Sequence, residues 1–583
     1  MTHDAAFFAP PAPALLGGEG GLQAGPDCSR VLAAGLRDLR GPAPAEEKLA
    51  RLMARATRHA DARQPAETMT LLALAAALGG LDPAGLRRAV DVARQAGSLR
   101  GAWRLQRLLL AQDPTVEAWM GLAGLAAERG HPRAALACHR RAMAVAPRSI
   151  RPWNRVFAVL RQQVSHTASA LAMTCAEDRL GALPDLSMTR LRAAWQNGEG
   201  ALCDTLLTRE VPPRDLPERT EIAVARALSR DDIATAEAEL SALPAKTDPQ
   251  RGLRLRAAIL GAQGRHDKAL HLLQAGPADS PERLGALAEA QIRARLWPEA
   301  YATLAPLRRE VRRARGGKRA LRHLLALVDD LVADRALIAQ ARGCDPAGLA
   351  RLAEAEPQSL MLALMVLDLP HARPDHAAPI PQRIVQYWEG PVPGRDLIGL
   401  MDSWRRHHPD WEHRLVTRAM AQTYLRRAGD PVAAQAFARA RTPAARAALV
   451  RAAVLLREGG LWAAPDARCQ QSLAALTEGA SVLVQQDGMG LVEPGLVGCA
   501  PGSILARLAL RDAVQSVLRD EADADWLSLG KGALTRAAAA AALSESLRAL
   551  PAHRARAWVA LDCPFTQEPA ADWLSFDPAR YFG

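Results

Sequence analysis

Aromatic residues are scarce in this sequence. Phe, Trp and Tyr together make up 4% of 583 residues, whereas nearly half of the chain is apolar, with Ala and Leu dominant. This composition favours closely packed helices over a sandwich of β-branched strands. A chain of this length is too long for one hydrophobic core, so we expect two or more domains.

Lysine is also rare, and arginine supplies almost all of the formal net charge of +12. Such a surplus could attract nucleic acid, a membrane surface or a charged polysaccharide. No nucleic-acid motif accompanies the charge, and charges spread over solvated helix faces also account for it. Nucleic-acid binding is therefore not the expected function.

The eight cysteines form no C-x-x-C pair, which excludes the usual zinc and redox motifs and predicts free thiols in a reducing compartment. Residues 1–8 have no basic run before an apolar stretch, unlike a signal peptide. The longest apolar run, Leu71–Leu81, is shorter than the roughly 18 residues of a membrane span. We expect a cytoplasmic protein without a transmembrane segment, with peripheral contact to the inner face of the membrane as an open alternative.

Composition divides the chain into four segments. Residues 1–46 are rich in Pro, Ala and Gly and are predicted to be disordered, because they cannot bury enough apolar surface. Residues 47–366 show helical patterns throughout. A proline-punctuated linker follows at 367–379, where few helices could continue. Short strand-like runs alternate with helices in 380–583, which predicts an α/β domain.

The helical segment contains a repeated unit that is clearest from Val116 onward. Its large residue Trp119, small residue Ala135 and terminal Pro147 have the spacing of the tetratricopeptide repeat, and the next tryptophan, Trp153, follows 34 residues after the first. The unit resembles that repeat family. The resemblance implies a superhelix whose concave surface binds a protein partner or the acceptor.

Weaker copies are predicted from the alanine at which the second helix of each pair would cross the first. Two helices approach closely only where side chains are small. The predicted crossing residues are Ala135, Ala170, Ala201, Ala236, Ala269 and Ala300.

The last third of the chain contains five segments that occur together, in order, in a known family. They are Ile380–Trp388, Ser403–Glu412, Arg451 with Leu455–Trp462, Gly530–Arg536, and His553 with Trp558. These segments resemble the glycosyltransferase sugar-binding-region family, which includes capsular-polysaccharide and yeast-mannosyltransferase-like proteins. The resemblance implies a GT-A type α/β domain that binds a nucleotide sugar. It also implies a D-x-D that holds a divalent cation, because charge developing on the leaving diphosphate must be neutralised.

The sequence departs from the family at the metal site. Counted from Gly459 and Gly460, the D-x-D falls on Ala464, Pro465 and Asp466, so the first aspartate is missing. An alanine methyl group cannot bind a hard cation. The site is therefore a degenerate D-x-D.

Two further polar residues of the family pattern are absent. The family's S-D-x-x-R falls on residues 447–451, where Ala448 replaces the carboxylate and Arg451 is retained. The histidine of the first strand is replaced by Val385, while the next residue, Gln386, is retained. These changes remove hydrogen-bonding groups from the expected donor site.

Three interpretations of Asp466 remain open. It could be the sole protein carboxylate on a cation, Mn²⁺ or Mg²⁺, that diphosphate, water and His553 otherwise hold. The enzyme could instead be metal-free, with Arg451 or Lys531 supplying positive charge. The site could also be inactive, with Asp466 only a turn residue after Pro465.

The predicted site has Asp466 as its catalytic residue and Asp466 with His553 as metal ligands. The donor-binding residues implied by the resemblance are Gln386, Trp388, Arg451, Gly459, Gly460 and Lys531. Trp388 could equally be a core aromatic residue. The leading hypothesis is a hexosyl-transferring glycosyltransferase that acts on a surface polysaccharide or glycan. The alternative is a non-catalytic interaction protein whose transferase-like domain is a pseudoenzyme or a nucleotide-sugar sensor.

Overall fold

The computed structural model of the protein describes twelve ranges of the chain: residues 26–39, 43–77, 81–244, 247–276, 281–308, 319–333, 335–369, 378–390, 392–427, 430–519, 525–566 and 576–582. The chain forms two compact units. The first comprises Met1–Leu186 with Thr566–Gly583, and the second comprises Ser187–Phe565.

Helices follow one another from Pro26 to Leu367, and many begin at a Ser, Thr or Asp that caps the helix. Asp82, for example, accepts a 2.7 Å hydrogen bond from the backbone N–H of Gly85, which satisfies one of the unpaired donors of the first turn. The helices are α1 (Pro26–Leu39), α2 (Ala45–Asp61), α3 (Pro65–Ala77), α4 (Pro83–Gln95), α5 (Leu99–Gln112), α6 (Val116–Glu128), α7 (Pro132–Val145), α8 (Ile150–Gln163), α9 (His166–Leu180), α10 (Pro184–Gln196), α11 (Gly200–Leu207), α12 (Leu216–Ser229), α13 (Ile233–Ser241), α14 (Pro249–Ala262), α15 (His266–Gln274), α16 (Pro281–Arg293), α17 (Trp297–Leu304), α18 (Arg319–Ala333), α19 (Arg335–Arg342), α20 (Pro346–Ala355) and α21 (Leu360–Leu367).

The first of these helices lies within the segment predicted to be disordered. Gly35 of α1 is packed so closely that an added Cβ would lie 2.7 Å from Leu74 and 3.2 Å from Leu71. Order therefore extends further toward the N-terminus than composition predicted. Residues 1–25 and 40–42 lie outside the described residues.

The residues at which paired helices cross are spaced more regularly in the structure than the predicted alanines are. Ala201 is exposed and Ala170 is only half-buried, so these two predicted crossing residues are wrong. The fourth residue of each second helix is buried instead, and these residues recur at spacings of 34, 34, 33, 33 and 31. They are Ala135, Ser169, Cys203, Ala236, Ala269 and Ala300. Serine and cysteine are small enough to allow the same close approach of two helices.

The C-terminal part is built on a mixed sheet. Its elements are β1 (Arg383–Trp388), α22 (Arg395–His407), β2 (Glu412–Thr417), α23 (Arg418–Arg427), α24 (Pro431–Arg439), α25 (Pro443–Glu458), β3 (Gly460–Ala463), β4 (Arg468–Cys469), α26 (Ala474–Thr477), β5 (Val482–Gln486), β6 (Val492–Cys499), α27 (Ile504–Arg519), α28 (Asp525–Ser528), α29 (Lys531–Ala542), β7 (Leu547–Leu550), α30 (Ala552–Trp558), β8 (Val559–Ala560) and α31 (Pro578–Phe582).

Six strands form the main sheet in the order β2-β1-β3-β6-β5-β7, and β4 pairs with β8 separately. All strands of the main sheet run in one direction except β6, which is antiparallel to both of its neighbours. The predicted fold class, helical repeats followed by an α/β domain, is confirmed.

Both faces of the sheet are buried. Val385 and Tyr387 of β1 belong to the core formed with α25, α27 and α29, whereas Ile384 faces the core that contains Trp404 and Trp411. This alternation follows from the two-residue period of a strand. Burial on both faces explains why the central strand β3 contains only apolar residues.

The last repeat helix shares a core with the sheet domain. Leu362 and Leu364 of α21 are fully buried in the same hydrophobic cluster as Leu534 of α29. Residues 370–377, most of the predicted linker, lie outside the described residues, and the predicted domain boundaries remain a prediction. None of the helices in the described ranges combines the length and the apolar run that a membrane span requires.

Candidate functional site

One edge of the main sheet collects most of the predicted site residues. Because only β6 is antiparallel, the carboxyl ends of β1, β3 and β5 meet the amino end of β6 at the same edge. In open α/β sheets, ligands bind outside the carboxyl ends of the parallel strands. The residues that follow β1, β3 and β5 therefore define the candidate site.

Gln386 ties the end of β1 to the turn that follows β3. Its side chain is 6% exposed, and its Nε2 donates a 3.4 Å hydrogen bond to the carbonyl of Ala464. The backbone N–H of Ala464 donates in turn to the carbonyl of Gly495 at 2.8 Å. Gln386 thus contacts the backbone of the turn that contains Asp466.

Trp388 lies at the end of β1 in a small apolar cluster. Its ring packs edge-on against Phe565 with 6.2 Å between the ring centroids, and Leu397 and Leu400 belong to the same cluster. The buried indole nitrogen has no hydrogen-bond partner among the described residues. The contacts of Trp388 are those of a core aromatic residue, and its predicted role in donor binding remains a prediction.

Gly459 and Gly460 have a backbone role. Their φ angles are +64° and +103°, which favour glycine. A Cβ on Gly459 would lie 2.8 Å from the carbonyl of Cys499, and one on Gly460 would lie 2.8 Å from the carbonyl of Arg383. The pair allows the chain to leave α25 and enter β3 directly beside β1.

Arg451 is a buried cation in the middle of α25. Its terminal nitrogens donate to the carbonyls of Pro494 and Leu529, both at 3.3 Å, and its Nε has no partner among the described residues. Within those residues it makes no ion pair, and burial lowers the pKa of the guanidinium to about 10. A buried charge without a counter-ion is costly, and such residues are found preferentially at binding sites.

Asp466 lies in the turn after β3, and a second carboxylate lies near it. The carbonyl of Asp466 accepts a 3.0 Å hydrogen bond from the backbone N–H of Cys563, the residue after Asp562. Burial raises the pKa of the Asp466 carboxyl, and the charge of Asp562 raises it further. Asp562 was not predicted, although an aspartate directly after the apolar residues 558–561 is a signal for the end of a buried strand.

Lys531 is not available as an isolated positive charge. Its Nζ donates to Asp487 at 2.9 Å and to Glu493 at 2.6 Å. Burial acts to lower the pKa of Lys531, but the two carboxylates outweigh burial and raise it. Asp487 follows β5 and Glu493 lies in β6, so both belong to the site edge, and neither was predicted from the sequence.

His553 has different surroundings from those of Asp466. Burial lowers its pKa, and the charged groups acting on it are Asp231, Arg554 and Arg293. Two of these belong to the helical repeats. Across the part of the chain that the structure describes, no group of three or more His, Cys, Asp or Glu side chains is arranged to hold a metal ion. The predicted pairing of His553 with Asp466 as metal ligands remains a prediction without a contact to support it.

Part of the C-terminal domain matches a known family model. Residues 394–486 match the model described as a glycosyltransferase sugar-binding region containing a DXD motif. The match includes Arg451, the glycine pair and Asp466, and the predicted resemblance is confirmed. This part of the chain is glycosyltransferase-like.

Three solved structures are similar to parts of the chain. The PaToxG glycosyltransferase is 13% identical over 33% of this chain and 76% of its own, with a TM-score of 0.25. A tetratricopeptide repeat protein from Parabacteroides merdae is 13% identical over 48% of this chain and 98% of its own, with a TM-score of 0.27. The Naa15/Naa10 structure bound to HypK-THB is 15% identical over 70% of this chain and 61% of that chain, with a TM-score of 0.24. No match to a curated protein was found.

Proposed function

We propose that the C-terminal domain transfers a hexosyl group from a nucleotide sugar to a glycan acceptor, through a cation site that differs from the usual D-x-D. The observation that carries the proposal is the junction of β1 and β3, where Gln386 fixes the Asp466 turn at the carboxyl edge of the sheet. A donor bound at this edge would meet a carboxylate turn on one side and the buried Arg451 on the other.

Asp562 takes the role of the first D-x-D aspartate, which is replaced by Ala464 in this chain. It lies close enough to raise the pKa of Asp466, so two carboxylates share one region of the edge. Magnesium is commonly held by one or two carboxylates, with water and substrate phosphates as the other ligands. These two residues therefore fit a divalent cation, which when bound would neutralise charge on the leaving diphosphate.

Arg451 is the residue of this chain best suited to hold the donor in place. Its guanidinium has no counter-ion among the described residues and its Nε has no partner. An anion beside it would offset part of the cost of burying the charge. Lys531 contributes less, because Asp487 and Glu493 already neutralise it.

A non-catalytic nucleotide-sugar sensor is the second candidate. It is favoured by the two missing carboxylates at Ala464 and Ala448 and by the neutralised Lys531. A sensor requires a donor pocket but no transfer. Donor binding without turnover would distinguish it from an enzyme.

The test is a screen of nucleotide sugars for hydrolysis by the full chain, with Mn²⁺, with Mg²⁺ and with a chelator. We expect metal-dependent hydrolysis that Asp466→Asn abolishes and that Asp410→Asn, at an exposed turn outside the site, leaves unchanged. Turnover that survives Asp466→Asn would reject Asp466 as a participant. Thermal stabilisation by a nucleoside diphosphate without any hydrolysis would favour the sensor. A protein that neither hydrolyses a donor nor is stabilised by a nucleotide would contradict both functions.

A further inference from the structure

A groove of about 300 Å³ lies between helices α10 and α12 of the repeat region. One wall carries Arg192, Trp195 and Gln196, and the other carries Glu218 and Glu221. Residues three and four apart lie on one face of a helix, so these side chains form one stripe on each wall. The second wall also contains the apolar Ile222 and Ala225. This groove lies within the second compact unit, which also contains the transferase-like domain.

The charges in the groove are already paired. Arg192 donates to Glu218 at 2.8 Å and to Asp215 at 2.7 Å. Glu221 forms an ion pair with Arg251 at 2.8 Å. A strongly cationic or anionic ligand would therefore find little unbalanced charge. What remains are hydrogen-bond donors and acceptors on guanidinium, carboxylate and amide groups, which suit a neutral ligand with many hydroxyl groups.

Trp195 adds a fixed aromatic ring to this polar groove. The guanidinium of Arg556, from α30 of the sheet domain, lies over the ring at 4.0 Å from its centroid, and Arg556 also donates to the backbone carbonyl of Trp195. A ring held in place loses little conformational entropy on binding. Arg556 covers one face of the ring, and the part of Trp195 that lines the groove can pack against the C–H groups of a sugar.

The groove adjoins the candidate active site. Gly198, two residues after Gln196, is packed so tightly against the sheet domain that an added Cβ would lie 2.4 Å from Ala560 and 3.4 Å from the sulfur of Cys563. Cys563 is the residue whose N–H is bonded to the carbonyl of Asp466. The carbonyl of Asn197 also accepts a 2.6 Å hydrogen bond from Arg468, two residues after Asp466. Asn197 and Gly198, which follow the groove residue Gln196, therefore contact residues that neighbour the Asp466 turn.

We propose that this groove is the acceptor subsite of the enzyme and that it binds a neutral oligosaccharide. The inference rests on the proposed function, since an acceptor is meaningful only where a sugar is transferred. It assigns to the repeats the role of holding the growing glycan beside the donor edge, in addition to any protein partner.

The test measures binding of three neutral tetrasaccharides, cellotetraose, chitotetraose and mannotetraose, to the full chain by saturation-transfer NMR. The variant Gln196→Ala combined with Glu221→Ala removes two hydrogen-bonding groups from opposite walls without touching Trp195. Losing these hydrogen bonds should weaken binding about tenfold. The control Gln274→Ala changes an exposed glutamine on α15, outside the groove, and should bind like the wild type.

Donor hydrolysis without acceptor, measured on the same proteins, separates this inference from the proposed function. Weaker tetrasaccharide binding with unchanged donor hydrolysis supports the acceptor subsite. Groove-dependent binding in a protein that hydrolyses no donor supports the saccharide site and rejects the proposed function. Binding that is equal in the groove variant and the wild type, or binding of none of the three sugars, overturns the inference. Groove-dependent binding of an oligolysine peptide in place of the sugars would also overturn it and would assign the groove to a protein partner.

Discussion

Replacing Arg451 with methionine tests whether this buried cation is retained for binding rather than for stability. Burial lowers its pKa from 12.5 to about 10, which corresponds to about 3 kcal/mol against the charged form in the folded state. Below pH 10 the side chain is charged in both states, so this cost is fully present at pH 7. Each of its two 3.3 Å hydrogen bonds stabilises the folded state by about 1 kcal/mol.

The net expectation is that Arg451→Met stabilises the fold by about 1 kcal/mol, because methionine fills the space without a charge. In a unit of this size the melting temperature should rise by about 2 °C, measured by scanning calorimetry at pH 7. The same variant should lose nucleotide-induced stabilisation if the donor phosphates lie beside Arg451.

Arg446→Met is the matched control. Arg446 is equally buried on the same helix but forms an ion pair with Glu389 at 2.9 Å. Removing one partner of a buried ion pair destabilises the fold by about 3 to 5 kcal/mol. We expect about 3 kcal/mol here, because Arg418 also forms an ion pair with Glu389. The melting temperature of this variant should fall. Equal destabilisation by both substitutions would show that Arg451 stabilises the fold, and the reasoning would be refuted.

Three further outcomes are expected. Gly460→Ala should destabilise the protein by about 2 kcal/mol or more in thermal unfolding, because φ is +103° and the new Cβ would lie 2.8 Å from the carbonyl of Arg383. Ala464→Asp should raise Mn²⁺-dependent donor hydrolysis about tenfold by restoring the missing ligand. Asp466→Asn should raise the melting temperature at pH 7, because burial and then Asp562 raise the pKa of Asp466 and so disfavour its ionised form. This gain should shrink as the pH falls through the raised pKa toward 3.8.

Each of these outcomes has its own control or refuting result. Gly399→Ala, in a helix where an added Cβ meets nothing within 4 Å, should be neutral or slightly stabilising, in contrast to Gly460→Ala. Hydrolysis by Ala464→Asp that does not respond to Mn²⁺ would argue for a metal-free mechanism. A gain in stability of Asp466→Asn that persists below pH 3.8 would have a cause other than the ionised carboxylate.

Local elements were predicted well because their signals are local. The strands and helices predicted to alternate in 380–583 are present, for example the strand Arg383–Trp388 and the helix Pro443–Glu458. The repeat was also correctly identified from its period. Two of its crossing residues were wrong because alanine was assumed at every crossing. Ser169 and Cys203, which are also small, occupy these two positions.

The candidate site was predicted less completely. The sequence singled out the glycine pair and Arg451 because they lie in one continuous motif around α25, and their roles in donor binding stay predictions. The glycine pair lies at the amino end of β3, opposite the candidate site edge. Asp562 was missed because it reaches Asp466 across 96 residues of chain, through a pairing that no local pattern specifies. The expected free cation at Lys531 is neutralised by carboxylates from β6 and from the loop after β5.

The sequence by itself determined the helices, the strands and the repeat period, since each depends on neighbouring residues, and it predicted the loss of two family carboxylates from a motif. Only the tertiary structure decided which charges meet at the sheet edge. The order β2-β1-β3-β6-β5-β7 is not sequential, so residues distant in the chain converge there. Tertiary packing likewise placed Trp195 of the repeats under Arg556 of the sheet domain, because shape and burial over the whole unit fix that contact.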